Sequence, residues 1–237
     1  MSSRGPIDVR AVFFDFGGTL THSCADLLPV FQRAARRAGT ELPWEEFLRA
    51  NEECWGELWP RAPEMVGHTP SFADLVHERA LRRVGVERSL ETLVQYIREE
   101  ALSPRWHEPY PETQETLSRL GALGFSLHVI SGHVDYLPVI LQNLGWSSVF
   151  ETVTFTQEVG CTKPDPRVFQ FALRRAGYDP ADTVYVGDSW TADYLGARGA
   201  GMAAVWLNRD GRPAPEPCLE IGDLRGLEAR LTNARVR

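Results

Sequence analysis

The sequence predicts an α/β protein: a Rossmann-like parallel sheet with helices on both faces, carrying an inserted all-helical segment. Three observations predict it. From Pro104 onward, helical periodicity alternates with short apolar runs over brief connections, the pattern of strands that return in parallel through helical crossovers. From Ala25 to Leu102, apolar residues recur at three- and four-residue spacing with no strand signal among them. A lone strand-like run, Val9 to Phe14, precedes that block and can pair only with the C-terminal half. The chain has 237 residues, enough at about 150 per domain for one to two units.

The elements follow in order. Val9 to Phe14 reads as a buried strand ending at Asp15, before Gly17-Gly18. Leu27, Leu28, Phe31 and Ala35 mark one helix, and Trp44, Phe47, Leu48, Trp55 and Leu58 a second. Pro60, Pro63 and Pro70 break the middle of the block. Phe72, Leu75 and Val76 open a third helix, and Leu90, Leu93, Val94 and Ile97 mark a fourth. Then come a helix over Thr113 to Leu123, a strand over Leu127 to Ile130, a helix around Leu137 to Leu144 and a strand within Val149 to Thr156. Pro166 opens a helix to Ala176. Thr183 to Val186 is a strand, about Thr191 to Ala200 a helix, and Ala203 to Leu207 a strand. A Pro-rich turn and a short helix around Leu224, Leu227 and Leu231 finish the chain. The expected division is a core of residues 1–20 and 109–237 with an insert of 21–108, hinged at His22-Ser23-Cys24 and at Trp106 to Pro109.

Composition narrows the function. Hydrophobic residues at 43% and charged residues at 24% exclude wholesale disorder. No stretch approaches 18 uncharged apolar residues, so no membrane-spanning helix is expected. A net charge of −7 argues against a nucleic-acid partner, which needs clustered basic charge. Four scattered cysteines without a CxxC pair suit neither a zinc site nor a disulfide framework. The polar N-terminus lacks the apolar stretch of a secretion signal, and a cytoplasmic location is expected. The oligomeric state is left open. Lys163 is the only lysine, so any chemistry that needs one must use it.

Ligands of an open parallel sheet bind at the carboxyl ends of its strands. There the sequence places Asp15, Ser131, Asp188 and, in a following loop, Lys163. Two carboxylates on one rim need a cation. Magnesium suits two carboxylates with waters and a substrate phosphate, and Lys163 with the backbone donors of Ser131-Gly132 would complement that phosphate.

These residues lie in four stretches: Val12-Phe13-Phe14-Asp15-Phe16-Gly17-Gly18-Thr19-Leu20, Val129-Ile130-Ser131-Gly132, Lys163-Pro164-Asp165-Pro166 with Phe169, and Val184-Tyr185-Val186-Gly187-Asp188-Ser189 through Asp193, followed by Gly196-Ala197 and Ala200-Gly201-Met202. In order and spacing they resemble the motifs of the haloacid dehalogenase superfamily of hydrolases, and the insert looks like that family's helical cap. The resemblance implies a magnesium-dependent hydrolase acting on a small phosphorylated metabolite. Asp15 would form an aspartyl phosphate. Ser131 and Lys163 would hold the transferring phosphoryl group. Asp15, the Gly17 carbonyl and Asp188 would ligate magnesium, with Asp193 as a further ligand or a partner of one.

One position departs from the resemblance. The family's phosphatases carry a second Asp two residues after the nucleophile, as the acid and base for the leaving oxygen and water; here it is Gly17. Such assistance is typically worth about 10² to 10⁴ in rate. His22 or His133 could substitute; the substrate could have a good leaving group, as an acyl phosphate does; or the chain could be a non-catalytic member that binds a phosphorylated ligand or a protein. A 2-haloacid dehalogenase, which also lacks the second Asp, is disfavoured by Asp188. A phosphonoacetaldehyde hydrolase is excluded because the insert has no lysine to form the imine. Trp44, Trp55, Trp59, His68 and His77 are the candidates to face the substrate from the insert.

Overall fold

The structure, a computed structural model, describes residues 7–22, 27–132 and 134–233; Ser23, Cys24 and His133 lie outside them. Strand β1 (Ile7–Asp8) is followed by β2 (Ala11–Phe14), then by four helices: α1 (Leu28–Ala38), α2 (Trp44–Leu58), α3 (Phe72–Arg83) and α4 (Leu90–Ala101). Helix α5 (Thr113–Ala122), β3 (Ser126–Ser131), α6 (Leu137–Asn143), β4 (Thr152–Phe155), the short α7 (Thr156–Val159), α8 (Pro166–Ala176) and β5 (Thr183–Gly187) follow. A π-turn over Trp190–Leu195 leads into α9 (Gly196–Gly199), β6 (Ala203–Leu207), β7 (Glu220–Ile221) and β8 (Leu231–Thr232).

The main sheet runs β4-β3-β2-β5-β6-β7 with every neighbour parallel. Alternation within β2 explains its two faces. Val12 and Phe14 join one apolar cluster, with Leu117 and Leu120 of α5, while Ala11 and Phe13 join the other, with Val168, Phe169 and Leu173 of α8. All four β2 side chains are buried, as expected of a parallel strand covered on both sides.

The four helices contribute Phe31, Phe47, Phe72, Leu81, Leu93 and Ile97, all buried in the cluster that holds Val12 and Phe14. A capping box of Ser71 and Asp74 starts α3. The chain leaves for these helices and returns from them at one place: Thr21 bridges Pro109 in antiparallel sense, and His22 N donates to Glu108 O at 2.8 Å. Away from that crossing, Tyr136 OH donates to Asp74 Oδ1 at 2.6 Å, Phe72 N donates to Asp135 Oδ2 at 3.3 Å, and Gln157 Nε2 donates to Ala62 O at 3.1 Å.

Local chemistry corrects the sequence reading in three places. The first strand breaks at Val9 and Arg10, because β1 pairs with the C-terminal β8 instead of the main sheet. The β4 strand lies within the expected span Val149 to Thr156 and ends at Phe155, where the Glu158 carboxylate accepts from Phe155 N and turns the chain into α7. The helix expected from Thr191 begins as the π-turn, with the Asp193 carboxylate bent back onto Ser189 N at 3.0 Å. The expected C-terminal helix is two 3₁₀ turns, Leu224–Gly226 and Glu228–Arg230. Asp223 accepts from Arg225 N there, a local bond that competes with helix propagation, and Gly226 weakens what remains. Leu224 and Leu227 are buried all the same.

Candidate active site

The site is built on the carboxyl ends of β2, β3 and β5. Asp15 continues β2, and its N–H donates to Val186 O of β5 at 2.9 Å. Asp188 directly follows β5, and Ser131 closes β3, one residue beyond Ile130. Lys163 reaches in from the loop before α8. Its Nζ donates to Asp15 Oδ1 at 2.6 Å, Asp193 Oδ1 at 2.6 Å and Tyr185 OH at 2.9 Å, and approaches Ile130 O at 3.4 Å. Tyr185 OH also contacts Asp193 Oδ1, at 3.1 Å. Asp188 accepts from Thr19 Oγ1 at 3.3 Å.

Two glycines let the carboxylates converge. Gly18 has φ +86°, and a Cβ there would lie 2.7 Å from Asp188 Oδ2; a Cβ on Gly187 would lie 2.4 Å from Asp193 Cγ. The left-handed backbone therefore falls at Gly18 and not at Gly17, so the second glycine of the pair is the constrained one.

Charge at this floor is unbalanced. One ligand oxygen from each of Asp15, Asp188 and Asp193 fits within 4.8 Å of the others, and Lys163 is the only cation bonded to any of them among the described residues. Burial raises the Asp15 carboxyl to about 7, with Asp193 and Asp188 adding to the rise and Lys163 opposing it. Burial, then Asp193, also raises Asp188. Burial alone would lower Lys163, but Asp15 and Asp193 outweigh it and hold the ammonium above its ordinary value. Three hard oxygen donors with surplus negative charge fit a small divalent cation such as magnesium.

A different surface stands beside this floor. A cavity of about 320 Å³ opens at Gly17, two residues after Asp15, and at Gly132, next to Ser131. Leu27, Val30, Trp55 and Ala73 wall it from the helical side, and Val134, Tyr136 and Ile140 from the sheet side. His22, His77 and His107 also line it. Burial lowers His77 to about 4, and its Nδ1 lies 2.9 Å from Asn51 Oδ1. Burial likewise lowers His107, whose Nε2 lies 2.9 Å from Ala101 O.

The structure thus gathers Asp15, Lys163, Asp188 and Asp193, and sets Ser131 and Gly17 beside them. Of the side chains expected to face the site from the insert, Trp55 and His77 do so. Trp44 packs on Phe47 and Trp59 on Phe72 instead, and His68 is exposed. His22 lines the cavity but packs at a tilt against Tyr110, ring centres 4.1 Å apart. Sequence reasoning missed Tyr185, Trp106 and His107. Tyr185 was legible only as a strand residue, and the other two lie in a segment that reads as a hinge.

Comparison with known proteins agrees with this geometry. The haloacid dehalogenase-like hydrolase family model matches residues 9–201. A phosphoserine phosphatase of Thermus thermophilus is 34% identical over 77% of this chain and 76% of its own length. A glyceraldehyde 3-phosphate phosphatase of Methanopyrus kandleri is 33% identical over 88% of each chain. Among solved structures, a 2-haloacid dehalogenase from Pseudomonas syringae pv. Tomato DC3000 superposes with a TM-score of 0.74 at 28% identity, over 97% of this chain and all of the other. Four motifs in order, a parallel sheet that brings them to one rim and a family match over most of the chain lead to one conclusion: this chain belongs to the haloacid dehalogenase-like hydrolases.

Proposed function

We propose that the protein is a magnesium-dependent phosphatase of a small phosphorylated metabolite, working through an aspartyl phosphate on Asp15. The observation that carries the reading is the Lys163 ammonium, 2.6 Å from both Asp15 and Asp193, with Asp188 close by. Relatives named as phosphatases support it.

Lys163 holds Asp15 Oδ1 and leaves Oδ2 to attack phosphorus. The new bond is Oδ2–P; the bond that breaks joins phosphorus to the ester oxygen, which leaves with the electron pair. Lys163 and Ser131 stabilise the transferring oxygens. Water then attacks the phosphorus of the aspartyl phosphate, freeing inorganic phosphate and restoring Asp15. Asp15, the Gly17 carbonyl and Asp188 would hold magnesium, which supplies charge neutralisation between the carboxylate and the phosphate oxygens. Asp193, tied by Lys163, Tyr185 and Ser189 N, orients Lys163. Gly17 offers no proton to the leaving oxygen, which favours substrates that leave without one. In this reading residues 21–108 form a cap unit on a core of 1–20 and 109–237, and the cap selects the ester.

The test is release of phosphate from p-nitrophenyl phosphate, acetyl phosphate and a metabolite panel, with and without magnesium, beside chloride release from 2-chloropropionate. Magnesium-dependent phosphate release that vanishes in Asp15→Asn is expected, with no chloride release. Chloride release would establish the dehalogenase reading instead. No turnover at all, with phosphate still bound, would establish a binding protein.

A further inference from the structure

We propose that the ester this site accepts carries an uncharged, largely apolar organic group about the size of a substituted benzene ring, housed in the cavity beside Gly17. The proposal rests on the phosphatase reading and adds to it the chemical class of the leaving group.

The cavity's position fixes what enters it. It opens between Gly17 and Gly132, so a phosphoryl group over Asp15 directs its ester substituent into it. Its volume of about 320 Å³ is near the small end of ligand sites and well above the roughly 150 Å³ that holds benzene.

The walls fix the chemistry. Among the described residues no Arg, Lys, Asp or Glu lines the cavity. The wall is instead Leu27, Val30, Trp55, Val134, Tyr136 and Ile140, with alanines between. Two of its histidines are held in the neutral form by burial. Among the described lining residues, a carboxylate or ammonium on the substituent would therefore lose water and meet no Arg, Lys, Asp or Glu in return, which is costly. Aromatic or branched aliphatic groups gain by leaving water.

The organic groups of phosphoserine and glyceraldehyde 3-phosphate, the compounds that name the relatives above, are polar throughout, so the inference separates this chain's specificity from theirs.

The test compares benzyl phosphate with its 4-carboxy derivative, two esters whose alkoxides leave with similar ease and whose substituents differ in charge. The expected preference in kcat/KM for the uncharged ester is about 10²-fold. Binding of benzylphosphonate and 4-carboxybenzylphosphonate, measured by calorimetry on the same full-length protein, should show the same order. Equal or reversed preference in both assays overturns the proposal, and turnover of acetyl phosphate would then show that the phosphatase reading survives it. Preferential binding of the uncharged phosphonate without turnover of either ester or of acetyl phosphate upholds the cavity's chemistry and removes the phosphatase reading.

Discussion

The floor of the site and its wall obey different rules. At the floor, polar groups are packed against one another until each has a partner: Lys163 alone serves two carboxylates and a phenol. On the wall, apolar side chains from two parts of the chain meet around a void. The floor is fixed by sheet register, since β2, β3 and β5 end side by side. The wall is fixed by helix faces and by the bonds from Tyr136 and Asp135 to α3. In the proposed reading, the first arrangement sets which bond is broken, and the second sets what that bond is attached to.

Breaking the floor should have the largest effect. Lys163→Met leaves Asp15 and Asp193 buried without their shared cation. Turnover should fall by about 10³ or more, and the melting temperature should drop, since an unpaired buried charge costs about 3–5 kcal/mol. Steady-state rates and thermal unfolding of the variant check both.

The two aspartates after β5 should then separate. Asp188 is partly exposed and accepts a side-chain bond from Thr19 Oγ1, whereas Asp193 is 1% exposed and bound by three groups. Asp188→Asn should raise the magnesium concentration for half-maximal activity by about 10²-fold with little loss of stability. Asp193→Asn should lower the melting temperature more. Magnesium titration beside thermal unfolding decides between them, and a reversed pattern would exchange their roles.

A proton donor placed where floor and wall meet sharpens the contrast. Gly17 lies outside the left-handed region and lines the cavity, so Gly17→Asp should fold. It should raise turnover of alkyl phosphates by up to about 10², with little gain on acyl phosphates. A leaving-group series on the two proteins measures the difference.

The wall itself should report through pH. His77 ionises near 4 in the folded protein against an ordinary 6.5, chiefly because of burial. The unfolded chain therefore binds the extra proton between those values. The stability this group contributes is present above pH 6.5 and is lost as pH falls from 6.5 toward 4, on the order of 2 kcal/mol between pH 7 and pH 5. His128, lowered to about 4 by burial, adds a loss of the same sign. Denaturant midpoints at pH 7 and pH 5 should converge more in His77→Gln than in the parent, yet not fully, because His128 remains.

The floor was legible in the sequence because its residues end strands or follow them closely. Asp15, Ser131 and Asp188 sit where an apolar run stops, and parallel strands must stop together. Tyr185 was not legible, because nothing in Thr-Val-Tyr-Val says that the phenol reaches across to Lys163. The wall resisted for another reason. Periodicity shows that α2 has an apolar face, but Trp55 lines the cavity while Trp44 packs on Phe47, and only the tilt of the helix decides which. Trp106 and His107 were hidden by their irregular segment. The C-terminal turns show how a short apolar spacing can be answered by burial of Leu224 and Leu227 without a helix.

The pairing of Thr21 with Pro109 has a consequence for how such a protein can change over evolutionary time. Antiparallel bridge partners have their Cα atoms about 4.5–5.5 Å apart, so everything between them departs from and returns to nearly the same point. A segment attached this way can be exchanged for another without altering the spacing of β2 and β3, on which the position of Asp15 depends. Exchange is favoured over deletion, because Val134, Tyr136 and Ile140 need an apolar cover. New specificities can therefore arise by replacing a module while the inherited chemistry stays as it was.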